Sequence, residues 1–191
     1  MGDYTVIGEV SALIERTLDA AVKAVSDDGV ARLDDLSKPV PDSPPTLTIF
    51  LYEIAEDPPS RNRPHVRPDP ANPQIVRKPP MALLLRYLIT AWGGDPVTQH
   101  RLLGVALRTF YDESIFAGAR LTGGLAAGAD ALHFTLTQLT LDQKSLVWYA
   151  LQKPYRLSLN YEVRVVNLDA TGDLQASPVR SRELVPGLVT P

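Results

Sequence analysis

Few residues in this chain have the type and spacing that catalysis or metal binding requires. The sequence has no cysteine, which excludes disulfides, thiolate zinc sites and a thiol nucleophile. Its three histidines, His65, His100 and His133, show none of the H-x-x-x-H or H-x-x-E-H spacings that place two zinc ligands on one helix. We therefore predict no metal, no cofactor and no catalytic site, and an enzyme is the weakest of the functional hypotheses.

A glycine-rich stretch, residues 118–128, lacks the residues that phosphate binding requires. Ala129 and Asp130 follow it, where a phosphate-binding P-loop has lysine and a hydroxyl residue. The stretch also lacks the G-x-G spacing of a dinucleotide-binding loop, and the chain has no G-x-S-x-G nucleophile elbow. We interpret residues 118–128 as a flexible turn region.

Positive charge is concentrated in a proline-rich segment, residues 58–80. Its eight prolines disfavour both helix and sheet and favour extended, polyproline-like backbone. We interpret it as a basic arm that orders against a neighbouring molecule, and the alternative is a flexible surface loop. The arm has one acid, Asp69, and its cations are Arg61, Arg63, Arg67, Arg77 and Lys78.

Apolar periodicity predicts three helices around this arm. Apolar residues at three- and four-residue steps indicate an amphipathic helix at 4–26. Asp95 followed by proline marks the start of a second helix, which ends near residue 112. Thr140 and Gln143 stand in capping-box register before a short third helix at 141–151.

Alternating residues predict strands between these helices. The segments with this pattern are 46–54, 132–139 and 156–167. The last is the clearest, with one apolar face made by Leu157, Leu159, Tyr161, Val163 and Val165. Periodicity alone leaves residues 81–92 open between a helix and a buried strand.

These elements predict an α+β fold with an antiparallel or mixed sheet and helices packed on one face. The fold is expected to occupy residues 1–169 as a single domain, with 58–80 as its long proline-rich loop. Residues 170–191 form a polar, proline-punctuated tail with a possible short strand at 179–185. We predict an assembly interface that comprises the five cations of the arm and three residues of the tail, Val179, Arg180 and Arg182.

Overall composition bounds the partners. The net charge of −3 argues against a protein that wraps nucleic acid, although the basic arm keeps a small nucleic-acid-binding module as an alternative. The N-terminus has neither the basic nor the apolar region of a secretion signal, and no apolar run approaches the ~20 residues of a membrane span. We therefore expect no membrane partner, and folding in a reducing, cytoplasmic environment.

Three blocks of the sequence resemble the cap proteins of extracellular contractile injection systems, which are phage-tail-like particles. The first block is PPMALLLRYLITAW at residues 79–92, and the second is HRLLG at 100–104. The third comprises LVWYAL at 146–151, PYRLS at 154–158 and YEVRVV at 161–166. The first block also favours a strand over a helix for residues 81–92.

The resemblance implies a tail-terminator-like fold without active site or cofactor. It implies a homohexameric ring on the last layer of inner tube and sheath proteins, which ends their polymerisation and stabilises the extended sheath. Such a subunit would assemble in the bacterial cytoplasm into a particle that is later released. The alternatives are another tail-completion or adaptor subunit, and the nucleic-acid-binding module already named.

Overall fold

The computed structural model describes residues 4–64, 75–127 and 131–175. Three α-helices occur in these residues: α1 (Val6–Lys23), α2 (Pro96–Asp112) and α3 (Leu141–Ala150). All three lie where the periodicity predicts them. The carboxylate of Asp95 accepts a hydrogen bond from the backbone N–H of Thr98, and Thr140 and Gln143 form the reciprocal capping box.

Six strands form the main sheet in the spatial order β1-β2-β4-β7-β6-β5. Only β1 and β2 run parallel, so the sheet is mixed, and the α+β prediction is confirmed. The strand bounds are β1 (Val30–Leu33), β2 (Thr46–Glu56), β4 (Met81–Trp92), β5 (Ile115–Phe116), β6 (Leu132–Leu136) and β7 (Ser158–Leu168). The strand alternative for residues 81–92 is therefore the correct one.

Both faces of the central strands are covered. Leu85, Tyr87 and Ile89 of β4 point to the main hydrophobic core, which α1 and α2 close from one side, as expected. Leu88 and Trp92, on the opposite face of the same strand, pack with Trp148 of α3. The third helix therefore adds a smaller core on the other side of the sheet.

A β-bulge in β7 interrupts the strict alternation that the sequence predicts for this strand. Val163 pairs with Leu85 and Val166 pairs with Leu83, so three residues of β7 span two of β4. Val166 consequently enters the main core together with Val163, although strict alternation would place these two residues on opposite faces. Strict alternation cannot show this shift, because the extra residue is defined by the pairing and not by the sequence of β7.

The free edge of β1 is closed by side chains of α1. The N–H groups of Ala31 and Leu33 point away from β2 and donate to the carboxylates of Asp19 and Glu15, at 3.1 and 3.0 Å. These bonds satisfy donors that an open edge strand would offer to another chain. Sequence periodicity does not predict β1, since the strand is short and depends on these distant carboxylates.

Candidate assembly surface

Residues 58–80 and the tail contain regular structure that the sequence did not predict. A short strand, β3 (Ile75–Arg77), pairs antiparallel with β8 (Asp173–Gln175). The expectation that proline density excludes sheet throughout residues 58–80 is wrong for Ile75–Arg77. No proline lies within these three residues, so their backbone N–H groups remain available for pairing.

The β3–β8 pair forms a stem that continues the β4–β7 ladder. Met81 pairs with Leu168 at the end of that ladder, and after short connections Arg77 pairs with Asp173. Arm and tail are therefore joined to each other at one end of the main sheet. Because a two-stranded ribbon is only marginally stable in water, further packing partners would stabilise this stem.

At the base of the arm, two of the predicted interface cations contact the protein itself. Arg61 Nε donates to Glu56 Oε2 at 3.1 Å, and Arg63 donates to Asn167 Oδ1 and to Ser60 Oγ at 3.3 Å each. These bonds fix the first residues of the arm against the ends of β2 and β7. The two guanidinium groups thus have a structural role that a charge count along the sequence does not show.

A second group of charges lies beside them on the outer sheet face, which is the face that packs against α3. Arg86 is at its centre and donates to Glu53 Oε2 at 2.7 Å and to Glu162 Oε1 at 3.1 Å. The hydrogen bond to Glu53 is the main cause of a raised pKa of Arg86, against a smaller opposing effect of burial. Arg164 completes the group through Glu162 at 3.1 Å and Asp57 at 3.9 Å.

Arg61, Arg86 and Arg164 are paired with carboxylates of the same chain, and Arg63 with an amide and a hydroxyl oxygen. The two groups together contain four cations and the four carboxylates of Glu53, Glu56, Asp57 and Glu162. The base of the arm is therefore close to electrically neutral rather than a free basic patch. Of the other predicted interface residues, Arg77 ends β3 and Lys78 follows it, both exposed. Arg67, Val179, Arg180 and Arg182 lie outside the described residues.

Helix α3 carries an exposed apolar surface that the sequence analysis did not identify. Only Trp148 is buried in this helix, at 1% exposure, whereas Leu141, Leu146 and Tyr149 are 65%, 66% and 81% exposed. Apolar residues on every side of a ten-residue helix are the signal that would have indicated it. Exposed apolar groups at this density are typical of protein–protein contacts.

Trp92 connects α3 to the segment that follows it. Its ring lies edge-on to Trp148, with 6.3 Å between ring centroids, and the guanidinium of Arg156 stacks on it at 4.2 Å. Its indole N–H donates to Thr48 Oγ1 at 2.7 Å. Trp148 is thus held by packing within the fold, whereas Tyr149 on the same helix points to solvent.

The described part of the glycine-rich stretch, residues 118–127, is built into the fold rather than being a flexible turn as predicted. Residues Gly118–Arg120 and Gly123–Ala127 form two 3₁₀ turns. The carboxylate of Glu9 on α1 accepts hydrogen bonds from the N–H groups of Gly124 and Leu125, at 3.0 Å each. Sequence reasoning missed this contact because Glu9 is more than 110 residues away.

A groove lies beside the two helices that close the main core. It has a volume of about 710 Å³ and lies between the end of α1 and the side of α2, with Ala21, Val25, Arg101 and Arg108 among its lining residues.

Within residues 4–64, 75–127 and 131–175, no three histidine, aspartate or glutamate side chains are grouped as metal ligands. None of the described helices is long and apolar enough to cross a membrane.

Comparison with solved structures shows a shared fold. The chain aligns with the sheath/tube terminator of the extracellular contractile injection system PVC in its extended state, with a TM-score of 0.60 and 21% identity over 94% of this chain. It aligns similarly with the tube-terminating cap of the anti-feeding prophage AFP, with a TM-score of 0.55 and 20% identity over 91%. Both structures were determined by cryo-EM.

The alignments cover 64% and 60% of those two solved chains, so this chain spans less than two thirds of their length. No curated protein matches it. The sequence profile of the Pvc16 N-terminal domain family, by contrast, matches residues 9–182. The chain therefore belongs to the Pvc16 N-terminal domain family.

Proposed function

We propose that this chain is the terminator subunit of a contractile injection particle and caps both its inner tube and its sheath. The family match over residues 9–182 carries the proposal. The shared fold with a sheath/tube terminator and a tube-terminating cap supports it. In this role the protein acts by surface complementarity and catalyses no reaction.

The proposed working form is a ring of identical copies, six in number. A ring requires two different surfaces on each subunit that meet after a fixed rotation. The stem at one end of the sheet and the apolar outer side of α3 are two such surfaces, separate in the fold and different in chemistry. The stem joins a segment of the arm to a segment of the tail, so a contact at the stem would involve both.

The inner tube and the sheath are the proposed partners beyond the ring itself. Binding to the last layer of both would end their growth and hold the sheath extended. Assembly in the bacterial cytoplasm, before the particle is released, completes the proposal. An adaptor subunit elsewhere in the particle remains the alternative, whereas nucleic-acid binding is disfavoured because Arg61, Arg63, Arg86 and Arg164 contact carboxylates and amides of their own chain.

Deletion of the gene in the producing bacterium tests the proposal, with the particles imaged by electron microscopy. Sheathed tubes of uncontrolled length, or contracted and uncapped ones, are expected. Complementation with the wild-type gene should restore normal particles. Particles of normal length and state after the deletion would refute a terminating role.

A variant tests the contribution of the arm to ring formation. Residues 65–74 are replaced by a glycine–serine segment of equal length, and the mass of the purified protein is measured by light scattering at several concentrations. A folded monomer is expected where the wild type forms rings, because a flexible segment loses more entropy on docking than a proline-rich one. The matched control is Arg101→Ala, an exposed cation outside the stem, which should leave the rings intact.

A further inference from the structure

Four polar side chains form a row across the outer sheet face, three of them buried on β4 and β7 and the fourth, Thr137, half-buried. Thr90 on β4 is the ladder partner of Ser158 on β7, and Asn160 follows two residues later on the same face. Thr137, just beyond β6, donates its N–H to the carbonyl of Asn160 at 2.8 Å. Together Thr90, Ser158, Asn160 and Thr137 are the polar row.

The side chains of the polar row lack hydrogen bonds within the described part of the chain. This holds for the hydroxyl groups of Thr90, Ser158 and Thr137 and for both amide atoms of Asn160. Thr90, Ser158 and Asn160 are at most 2% exposed. Native proteins form hydrogen bonds to nearly all of their buried polar groups. Each of the five unpaired atoms therefore lowers the stability of the packing that buries it.

The indole of Trp148 on α3 lies over the same sheet face. It packs on Leu88, which pairs with Asn160, and on Trp92 of the same strand. The indole N–H has no hydrogen-bond partner among the described residues either. Trp148 is the one fully buried residue of α3, and only the half-buried Val147 and Leu151 pack beside it in the same cluster. This small apolar contact is opposed by six unpaired polar atoms.

We propose that α3 is a lid, which opens from the sheet as a unit while the six-stranded sheet stays folded. Opening exposes the indole of Trp148 and the half-buried Val147 and Leu151 to water, and it also hydrates the polar row. The hydration of the polar row offsets part of the cost of exposing these apolar groups. Both ends of α3 suit such a motion. An irregular connection precedes it, and Gln152, with a positive φ of 54°, followed by Pro154, separates it from β7.

Native-state hydrogen exchange, followed by mass spectrometry on the full chain, tests the lid. In the wild type, amides of residues 141–151 are expected to exchange without unfolding of β4 and β7. Thr90→Val and Asn160→Leu each remove unpaired polar atoms from the floor and should slow exchange in α3 by about tenfold. Exchange in α2, which lies on the other face, should not change and serves as the internal reference.

Thr135→Val is the matched control, because Thr135 lies on β6 but is exposed and outside the polar row. It should leave exchange in α3 unaltered. Trp148→Phe retains a ring and removes the unpaired N–H, and is also expected to slow the exchange. The proposal is overturned if α3 exchanges only together with β4 and β7. It is equally overturned if the three floor and indole variants fold normally and leave the exchange of α3 unchanged.

Discussion

Two glycine-to-alanine substitutions are predicted to change stability in opposite directions. Gly123 has a φ of +64°, and a Cβ added there would lie 2.7 Å from Glu9 Oε1. Gly104 lies inside α2 on its exposed side, and an added Cβ would meet no atom within 4 Å. Both changes add the same methyl group, so any difference comes from the local structure.

The expected magnitudes follow from these surroundings. An alanine in the left-handed region costs about 1–2 kcal/mol. Displacement of Glu9 also weakens two hydrogen bonds to a charged acceptor, each contributing about 1.5 kcal/mol at the lower end of the usual range for a half-buried group. Gly123→Ala should therefore lower the free energy of unfolding by about 2–4 kcal/mol. Gly104→Ala should raise it by up to about 1 kcal/mol, the helix-propensity difference.

Urea denaturation, followed by circular dichroism and by tryptophan fluorescence, measures both effects. A double-mutant cycle with Glu9→Ala adds a direct test of the contact, because the cost of Gly123→Ala should fall once the carboxylate is absent. If Gly123→Ala changes stability by less than about 0.5 kcal/mol, in the range of ordinary surface substitutions, the glycine-rich stretch is a flexible turn after all and its contact with Glu9 contributes nothing.

Three further predictions concern charges and a cap. Arg86→Leu should lower the free energy of unfolding by about 1–3 kcal/mol, because it leaves the buried Glu162 beside a single remaining cation. The control is Arg108→Leu, which removes an exposed ion pair and should cost under about 0.5 kcal/mol in the same denaturation assay. Burial raises the pKa of Tyr87 and of Tyr161 to about 12, while an unfolded tyrosine ionises near pH 10. The stability that these two tyrosines contribute is thus complete below pH 10 and is lost as the pH rises towards 12. Urea denaturation at each pH measures this loss, and tyrosinate absorbance follows the ionisation. Ionisation of all seven tyrosines near pH 10 in the folded protein would contradict the prediction. Asp95→Ala should cost about 1 kcal/mol by loss of the cap on α2, and Asp95→Asn much less; equal losses would contradict a capping role.

Local signals in the sequence were sufficient for most of the fold. The apolar stripe of α1, the Asp95-Pro96 start of α2 and the capping box of α3 each depend on residues within a few positions of one another. For β4, however, periodicity left helix and strand open, because a strand buried on both faces has no polar alternation to reveal it. The resemblance of residues 79–92 to the cap family decided that segment.

The errors share a different physical cause. Strand β1, the bulge of β7 and the ordered glycine-rich stretch all depend on partners far away in sequence, such as Glu9 for Gly124. The pairing of β3 with β8 joins two segments that were each expected to be irregular. The partners of Arg61 and Arg63, a carboxylate on β2 and an amide on β7, are likewise defined only by the folded sheet. The place of these two arginines in an assembly interface stays a prediction.

The two edge strands of the main sheet, β1 and β5, indicate how a terminating subunit would avoid offering a new edge on which further strands could pair. A sheet edge with free N–H groups can pair with a strand of another chain. In β1, the two outward N–H groups are hydrogen-bonded to Asp19 and Glu15 of α1. The opposite edge strand, β5, has only two residues. The proposed contacts use the stem and α3 instead, which differ in chemistry from each other. A subunit with closed edges and two unlike contact surfaces closes a ring more readily than it extends a sheet, and this is what the proposed function requires.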